Sequence, residues 1–183
     1  LRPFNSRKDL NRIRNTAYSR FKPIPYVDVI INERLLRCRR LVNLKDLSQA
    51  ISSLNLSYRV IHFENMTFAE QVSSLRFTRV LISIHGAGLS NIIFLQPGST
   101  VIELMHPLLN APFYRFLSYY ASLNYILIKD VKPLNDSCVE LHIGALSLLQ
   151  TWCELVSNEQ PSKTSVLTYE LMIVDILLID VSC

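Results

Sequence analysis

A chain of 183 residues with 49% hydrophobic and 19% charged side chains is long enough for one folded core and too apolar to be disordered. Its net charge of +4 hides a polarity: eleven Lys/Arg face three Asp/Glu in residues 1–40, and eight face twelve in the rest. Four scattered cysteines without a Cys-x-x-Cys exclude a zinc-ribbon site, and Glu170, Asp175 and Asp180 break the apolar stretch 166–183 too often for a membrane span.

In chain order, residues 5–21 read as a basic amphipathic helix with Leu10, Ile13, Ala17 and Phe21 on one stripe, ended by Pro23 and Pro25. Its cations either face an anionic partner or are simply solvated. A β-rich run covers 26–31, a polar loop follows over 32–40, and Asn43 caps a helix over 44–54. Residues 58–63 read as a strand. Thr67 and Glu70 form a capping box that opens a helix over 68–77. A strand over 80–84, a short helix over 89–95 and a strand over 100–104 come next. Asn110 and Pro112 open a helix to about 122, a strand covers 125–128, and the apolar run 138–157 reads as a long helix.

Strands alternating with helices across short loops imply parallel pairing, hence a three-layer, Rossmann-like α/β domain. The expected organisation is a basic lead-in over 1–25, an α/β domain over 26–157 and a divergent tail over 158–183. Leu1 in the first position is expected of a processed or partial chain. Sequons at Asn55, Asn65 and Asn135 lean toward the secretory pathway.

Residues 79–107 carry the chemistry, and three of the four glycines fall among them: Gly86, Gly88 and Gly98. An apolar strand runs into His85, then into Gly86-Ala87-Gly88 and a helix start. That order points backbone N–H groups outward, where a phosphate can sit. The dinucleotide pattern G-x-G-x-x-G fails at Asn91, and no Gly-Lys-Ser/Thr is present. Two glycines in a tight turn remain a purely structural alternative. His85 and Glu103 both fall at carboxyl ends of strands, the edge where open α/β sheets bind ligands. A buried Glu103 needs partners, either ribose hydroxyls or backbone N–H groups of the next loop. Arg34, Arg37, Arg39 and Arg40 follow the first core strand, and guanidinium pairs with phosphate bidentately. The chain lacks an Asp-x-Asp, which fits metal-independent handling of a diphosphate.

The run Ser83-Ile84-His85-Gly86-Ala87-Gly88-Leu89-Ser90-Asn91, followed by Phe94-Leu95 and Pro97-Gly98 to Glu103-Leu104, resembles the signature of glycosyltransferase family 61. Arg34 and Arg39 to Asn43 are similar to that family's spaced arginines, and Thr67 to Glu70 resemble a segment of its protein O-mannose N-acetylglucosaminyltransferase branch. The resemblance covers about 26–128. It implies a GT-B fold, of which this chain is the C-terminal, donor-binding domain, lacking an N-terminal acceptor domain. It also implies inverting transfer from a UDP-sugar, expected to be UDP-N-acetylglucosamine, to a glycoprotein in the endoplasmic reticulum or Golgi. No cofactor is expected beyond the UDP-sugar as co-substrate. By position, Arg34 and Arg39 hold the diphosphate, His85 to Leu89 wrap it with backbone N–H groups, Asn91 lies beside them and Glu103 binds ribose. The catalytic base has no match in this chain. The competing reading is a non-catalytic nucleotide-binding module that docks a partner through its basic helix. Nucleic acid is not an expected partner, since no stacking platform or helix-turn-helix pattern is present.

Overall fold

A computed structural model describes residues 6–34, 40–41, 43–105, 111–129, 131–135 and 138–141. Helix α1 spans Arg7–Arg20 and is capped by Ser6, whose hydroxyl accepts from the Asp9 N–H. Strand β1 is Val29–Asn32, β2 is Arg40–Leu41, and helix α2 is Leu44–Ser53. Strand β3 is Tyr58–Ile61, and a 3-10 turn covers Phe63–Asn65. Helix α3 runs Phe68–Leu75 with the expected Thr67–Glu70 capping box fully formed. Strand β4 is Val80–Ile84, a 3-10 helix covers Ala87–Phe94, and β5 is Thr100–Leu104. Helix α4 spans Phe113–Ala121; β6 is Asn124–Ile128, β7 is Val131–Asn135 and β8 is Cys138–Leu141.

Five strands form one parallel sheet in the order β3-β1-β4-β5-β6. Numbered within the sheet alone, the order is 2-1-3-4-5, the doubly wound arrangement in which the winding reverses beside the first strand. Side chains of α1, α3 and α4 pack with the 3-10 helix on one face, and Leu47 and Ile51 of α2 pack on the other. The expected three layers and parallel sheet are therefore present. Every residue of β4 and β5 is buried, as required of central strands covered on both faces. The Pro97-Gly98 turn is formed as expected. Gly98 has φ 88°, a left-handed conformation that glycine adopts without steric cost, and its N–H donates to the Ser122 carbonyl at 2.8 Å.

Three expectations change. The apolar stripe of α1 rotates: Ile13 is exposed, and Arg14, only 3% exposed, takes a buried place. Arg14 donates from Nε to the Ile93 carbonyl at 2.7 Å and from Nη2 to the Ala121 carbonyl at 3.1 Å. Its guanidinium thus satisfies carbonyls that α4 and the 3-10 helix cannot pair internally. With Leu10 and Ala17 in the core, α1 is packed against the domain it was expected to lead into. Second, 138–141 form β8 rather than the start of a helix: β8 pairs antiparallel with β7 and parallel with β2 in a separate three-stranded sheet. A short apolar run suits either state, and sheet pairing decided it. Arg40 accordingly lies in β2 rather than in a loop. The remainder of that expected helix and the tail over 158–183 lie outside the described residues.

At the sheet edge opposite the glycine turn, Asp28 ties β1 to β3. It accepts from the Ser57 N–H at 2.9 Å, the Ser57 hydroxyl at 2.6 Å and the Tyr26 hydroxyl at 2.5 Å. Burial alone would raise its pKa, but these bonds, with Arg79 nearby, bring it below the ordinary carboxylate value. A carboxylate whose folded pKa is depressed adds stability above its unfolded pKa and loses it as pH falls through the folded one. Asp28→Asn should therefore cost about 1 kcal/mol at pH 7, with solvent screening keeping the effect small. The difference should shrink in urea titrations as the pH falls below about 3.9, the ordinary Asp value, and through the lower folded one. A deficit unchanged at low pH would refute an electrostatic clamp.

Candidate functional site

The last rung that β1 shares with β4 is polar where those before it are apolar. Asn32 of β1 stands beside Ser83 of β4, and Ser83 beside Glu103 of β5. All are buried, so each needs a hydrogen-bond partner. Asn32 Nδ2 donates to the Ser83 hydroxyl at 2.9 Å, and Asn32 Oδ1 accepts from the Phe63 N–H at 3.4 Å. These bonds fix the asparagine under the glycine turn. A Cβ on Gly88 would meet Asn32 Nδ2 at 2.9 Å and the Phe63 ring at 3.2 Å. Gly88 is thus required by close approach, because Asn32 cannot retreat without losing both bonds.

A cavity of ≈ 290 Å³ opens above this contact. Arg34 and Glu64 form one wall, Gln71 and Asn91 another, and Gly86, Ala87 and Gly88 the floor beside Asn32 and Phe63. It lies between β1 and β4, at the reversal of the winding, where ligands of doubly wound sheets bind. Its volume lies at the low end of ligand-binding clefts, about 300–1,000 Å³. The 3-10 helix Ala87–Phe94 begins on this floor, and the first N–H groups of a helix have no partner within it. Arg34 Nε sits 3.2 Å from Glu64 Oε1, with side-chain exposures of 22% and 32%.

Arg34, Gly86, Ala87, Gly88 and Asn91, nominated separately in the sequence, thus line one cavity. Arg39 lies outside the described residues. Two of the expected wrapping amides are spent elsewhere: the His85 N–H donates to the Leu104 carbonyl at 2.9 Å and the Leu89 N–H to the Gly86 carbonyl at 3.0 Å. The Asn91 side chain donates to Gln71 Oε1 at 3.0 Å, and Gln71 in turn donates to the Phe63 and Met66 carbonyls. That chain of amides braces the wall.

Glu103 departs from its expected role. Fully buried at 0% exposure, it takes up the His85 ring nitrogen Nδ1 with one carboxylate oxygen and the Tyr125 hydroxyl, at 2.5 Å, with the other. Both oxygens therefore have protein partners, and neither Glu103 nor His85 lines the cavity. Burial, then the hydrogen bond to Glu103 and its charge, pushes the Tyr125 hydroxyl well above its ordinary pKa. The phenol stays protonated and donates. Glu103 thus links the His85 ring to the Tyr125 phenol, one carboxylate oxygen to each. The pair braces the strand from which the glycine turn leaves.

Sequence patterning does not single out Asn32 or Glu64: Asn32 opens the polar run 32–40, and Glu64 enters from the turn after β3, a neighbour of β1 only in the folded sheet. Two sequons fall on the surface: Asn55, in a left-handed turn at φ 57°, and Asn65 are both exposed. Asn135 lies within β7. Among the described residues no three His, Cys, Asp or Glu gather as a metal site, and no helix is long and apolar enough to cross a membrane.

The family model described as Glycosyltransferase 61 matches residues 3–102, more than half of the chain. A β-1,2-xylosyltransferase, RCN11 of Oryza sativa subsp. japonica, is 30% identical over 63 residues, 34% of this chain and 12% of that protein. The chain thus spans about an eighth of that relative's length. Among solved structures, the rubredoxin oxygen:oxidoreductase of Desulfovibrio gigas aligns at 11% identity and TM-score 0.43 over 76% of this chain and 37% of its own. An archaeal flavodoxin aligns at 13% identity and TM-score 0.38 over 71% of this chain and 99% of its own.

Proposed function

The chain belongs to glycosyltransferase family 61, and from that premise we propose that residues 26–157 form the donor-binding part of an inverting UDP-sugar transferase. The observation that carries the reading is the convergence of Arg34 with the Gly86-Ala87-Gly88 floor on one cavity at the winding reversal. A diphosphate there would meet a guanidinium and the first N–H groups of the 3-10 helix together, the two recurrent protein partners of phosphate. In the proposed reaction the anomeric C–O bond to the β-phosphate breaks and an acceptor hydroxyl oxygen bonds to the anomeric carbon from the opposite side. UDP leaves with its charge met by Arg34, and the acceptor proton passes to a base supplied by an acceptor domain. Arg34 in this role makes a metal unnecessary for the leaving group.

UDP-N-acetylglucosamine is the proposed donor and a glycoprotein in the endoplasmic reticulum or Golgi lumen the proposed acceptor. The name of the rice relative makes UDP-xylose the competing donor. Calorimetric titration of the purified chain tests the donor site: UDP and UDP-sugars should bind, and uridine should bind much more weakly. Gly88→Val, which drives a side chain into Asn32 and the cavity, should weaken UDP by roughly tenfold or more, about 1.4 kcal/mol. Equal binding of UDP by the wild type and this variant would exclude the cavity as the site.

A further inference from the structure

Among the described residues that line the cavity, Glu64 is the acidic side chain and Arg34 the cation, and the two are in contact. A carboxylate facing a pocket proposed to take a diphosphate is unexpected on charge grounds, since the two anions repel across a few ångströms. The contact itself explains the arrangement. Glu64 holds Arg34 through Nε, which leaves the guanidinium anchored beside the floor instead of extended into solvent. Both side chains are partly exposed, so their mutual attraction is modest and the contact exchanges readily. A ligand with two adjacent phosphates presents more charge and more acceptor oxygens to a guanidinium than one carboxylate does.

We infer that Glu64 is an internal competitor for Arg34: it occupies the guanidinium in the empty site and yields it to a diphosphate, so that weaker anions are rejected. The inference rests on the diphosphate reading of the cavity. It makes Glu64 a residue that sets which anions bind, although it contributes no attraction to them. Every anion must displace Glu64 at the same cost, so one that binds Arg34 weakly on its own falls below a useful affinity first. The geometry of the pair also predicts that removing Glu64 strengthens binding, the opposite of what loss of a wall residue ordinarily does. The side chain is exposed and lies outside both core clusters, so its replacement by the isosteric amide leaves the fold intact.

The test uses inorganic pyrophosphate, inorganic phosphate and UDP, titrated calorimetrically onto wild type, Glu64→Gln, Arg34→Ala and the double variant. Glu64→Gln should tighten pyrophosphate by roughly three- to tenfold and phosphate by a similar factor, bringing the weaker anion into measurable range. In the Arg34→Ala background the same change should have little effect, because the competition then has no object. Weaker or unchanged pyrophosphate binding in Glu64→Gln overturns the inference. So does a gain that persists without Arg34, which would reduce Glu64 to a general negative charge, and so does an absence of pyrophosphate binding in every variant. The nucleotide reading fails separately: pyrophosphate bound as tightly as UDP would remove the uridine from the site while leaving the competition standing.

Discussion

Glu103→Ala is expected to destabilise the domain by about 3–5 kcal/mol, from two buried groups losing their hydrogen-bond partner and the cavity left behind. The carboxylate is fully buried and is the shared hydrogen-bond partner of His85 and Tyr125. Truncation leaves a phenol and an imidazole without that partner, each at a desolvation cost of about 1–3 kcal/mol. It also opens a cavity between β5 and β6. For a chain of this size the melting temperature should fall by on the order of 10 °C. Glu103→Gln should lie between, because its amide oxygen can still accept one of the two bonds. Thermal melts of the three proteins decide the matter. A melting temperature for Glu103→Ala within a degree or two of wild type would show that the carboxylate braces nothing. The same loss distinguishes a brace from a ribose ligand, whose removal would weaken UDP binding and leave the melt unchanged.

Arg34→Ala should weaken UDP by about 2 kcal/mol, roughly thirtyfold in Kd, as expected for the loss of charge-assisted hydrogen bonds to phosphate. Arg34 stands two residues beyond β1 with its guanidinium on the cavity wall. It is the cation that the described wall offers to a diphosphate. Arg34→Lys should recover only part of the loss, because an ammonium keeps the charge without the planar fork. The affinity should also become less sensitive to added salt in Arg34→Ala, since one ionic contact has gone. The melt should stay near wild type, as the side chain is partly exposed. Titrations of the three proteins at two salt concentrations measure all of this. UDP affinity unaltered by Arg34→Ala would remove the diphosphate from this wall.

The parts of this molecule governed by local chemistry were legible in the sequence. The capping box at Thr67, the Pro97-Gly98 turn and the apolar strands β4 and β5 announce themselves through residues a few positions apart. So did the convergence at the cavity, because alternating strands and helices put Arg34 and Gly86 at one sheet edge before any coordinates are known. Side-chain partnerships set by register across strands were not legible. Asn32 reaches Gly88 and Ser83 only because β1 lies beside β4 in one particular alignment. Glu103 was correctly placed at the end of its strand, but its direction depends on Tyr125 arriving from β6. Arg14 shows the same limit: a cation in a basic helix reads as solvated until α4 and the 3-10 helix present carbonyls to it. The apolar run after Cys138 failed for another reason, since composition alone cannot separate a short strand from the start of a helix.

Amide-resolved NMR during a UDP titration is the most direct test of the diphosphate cavity. The N–H resonances of Gly86, Ala87 and Gly88 and the Nε–H of Arg34 should shift together, saturating at one common concentration. Shifts confined to the outer face of α1 or to the second sheet, with those four signals unmoved, would contradict it.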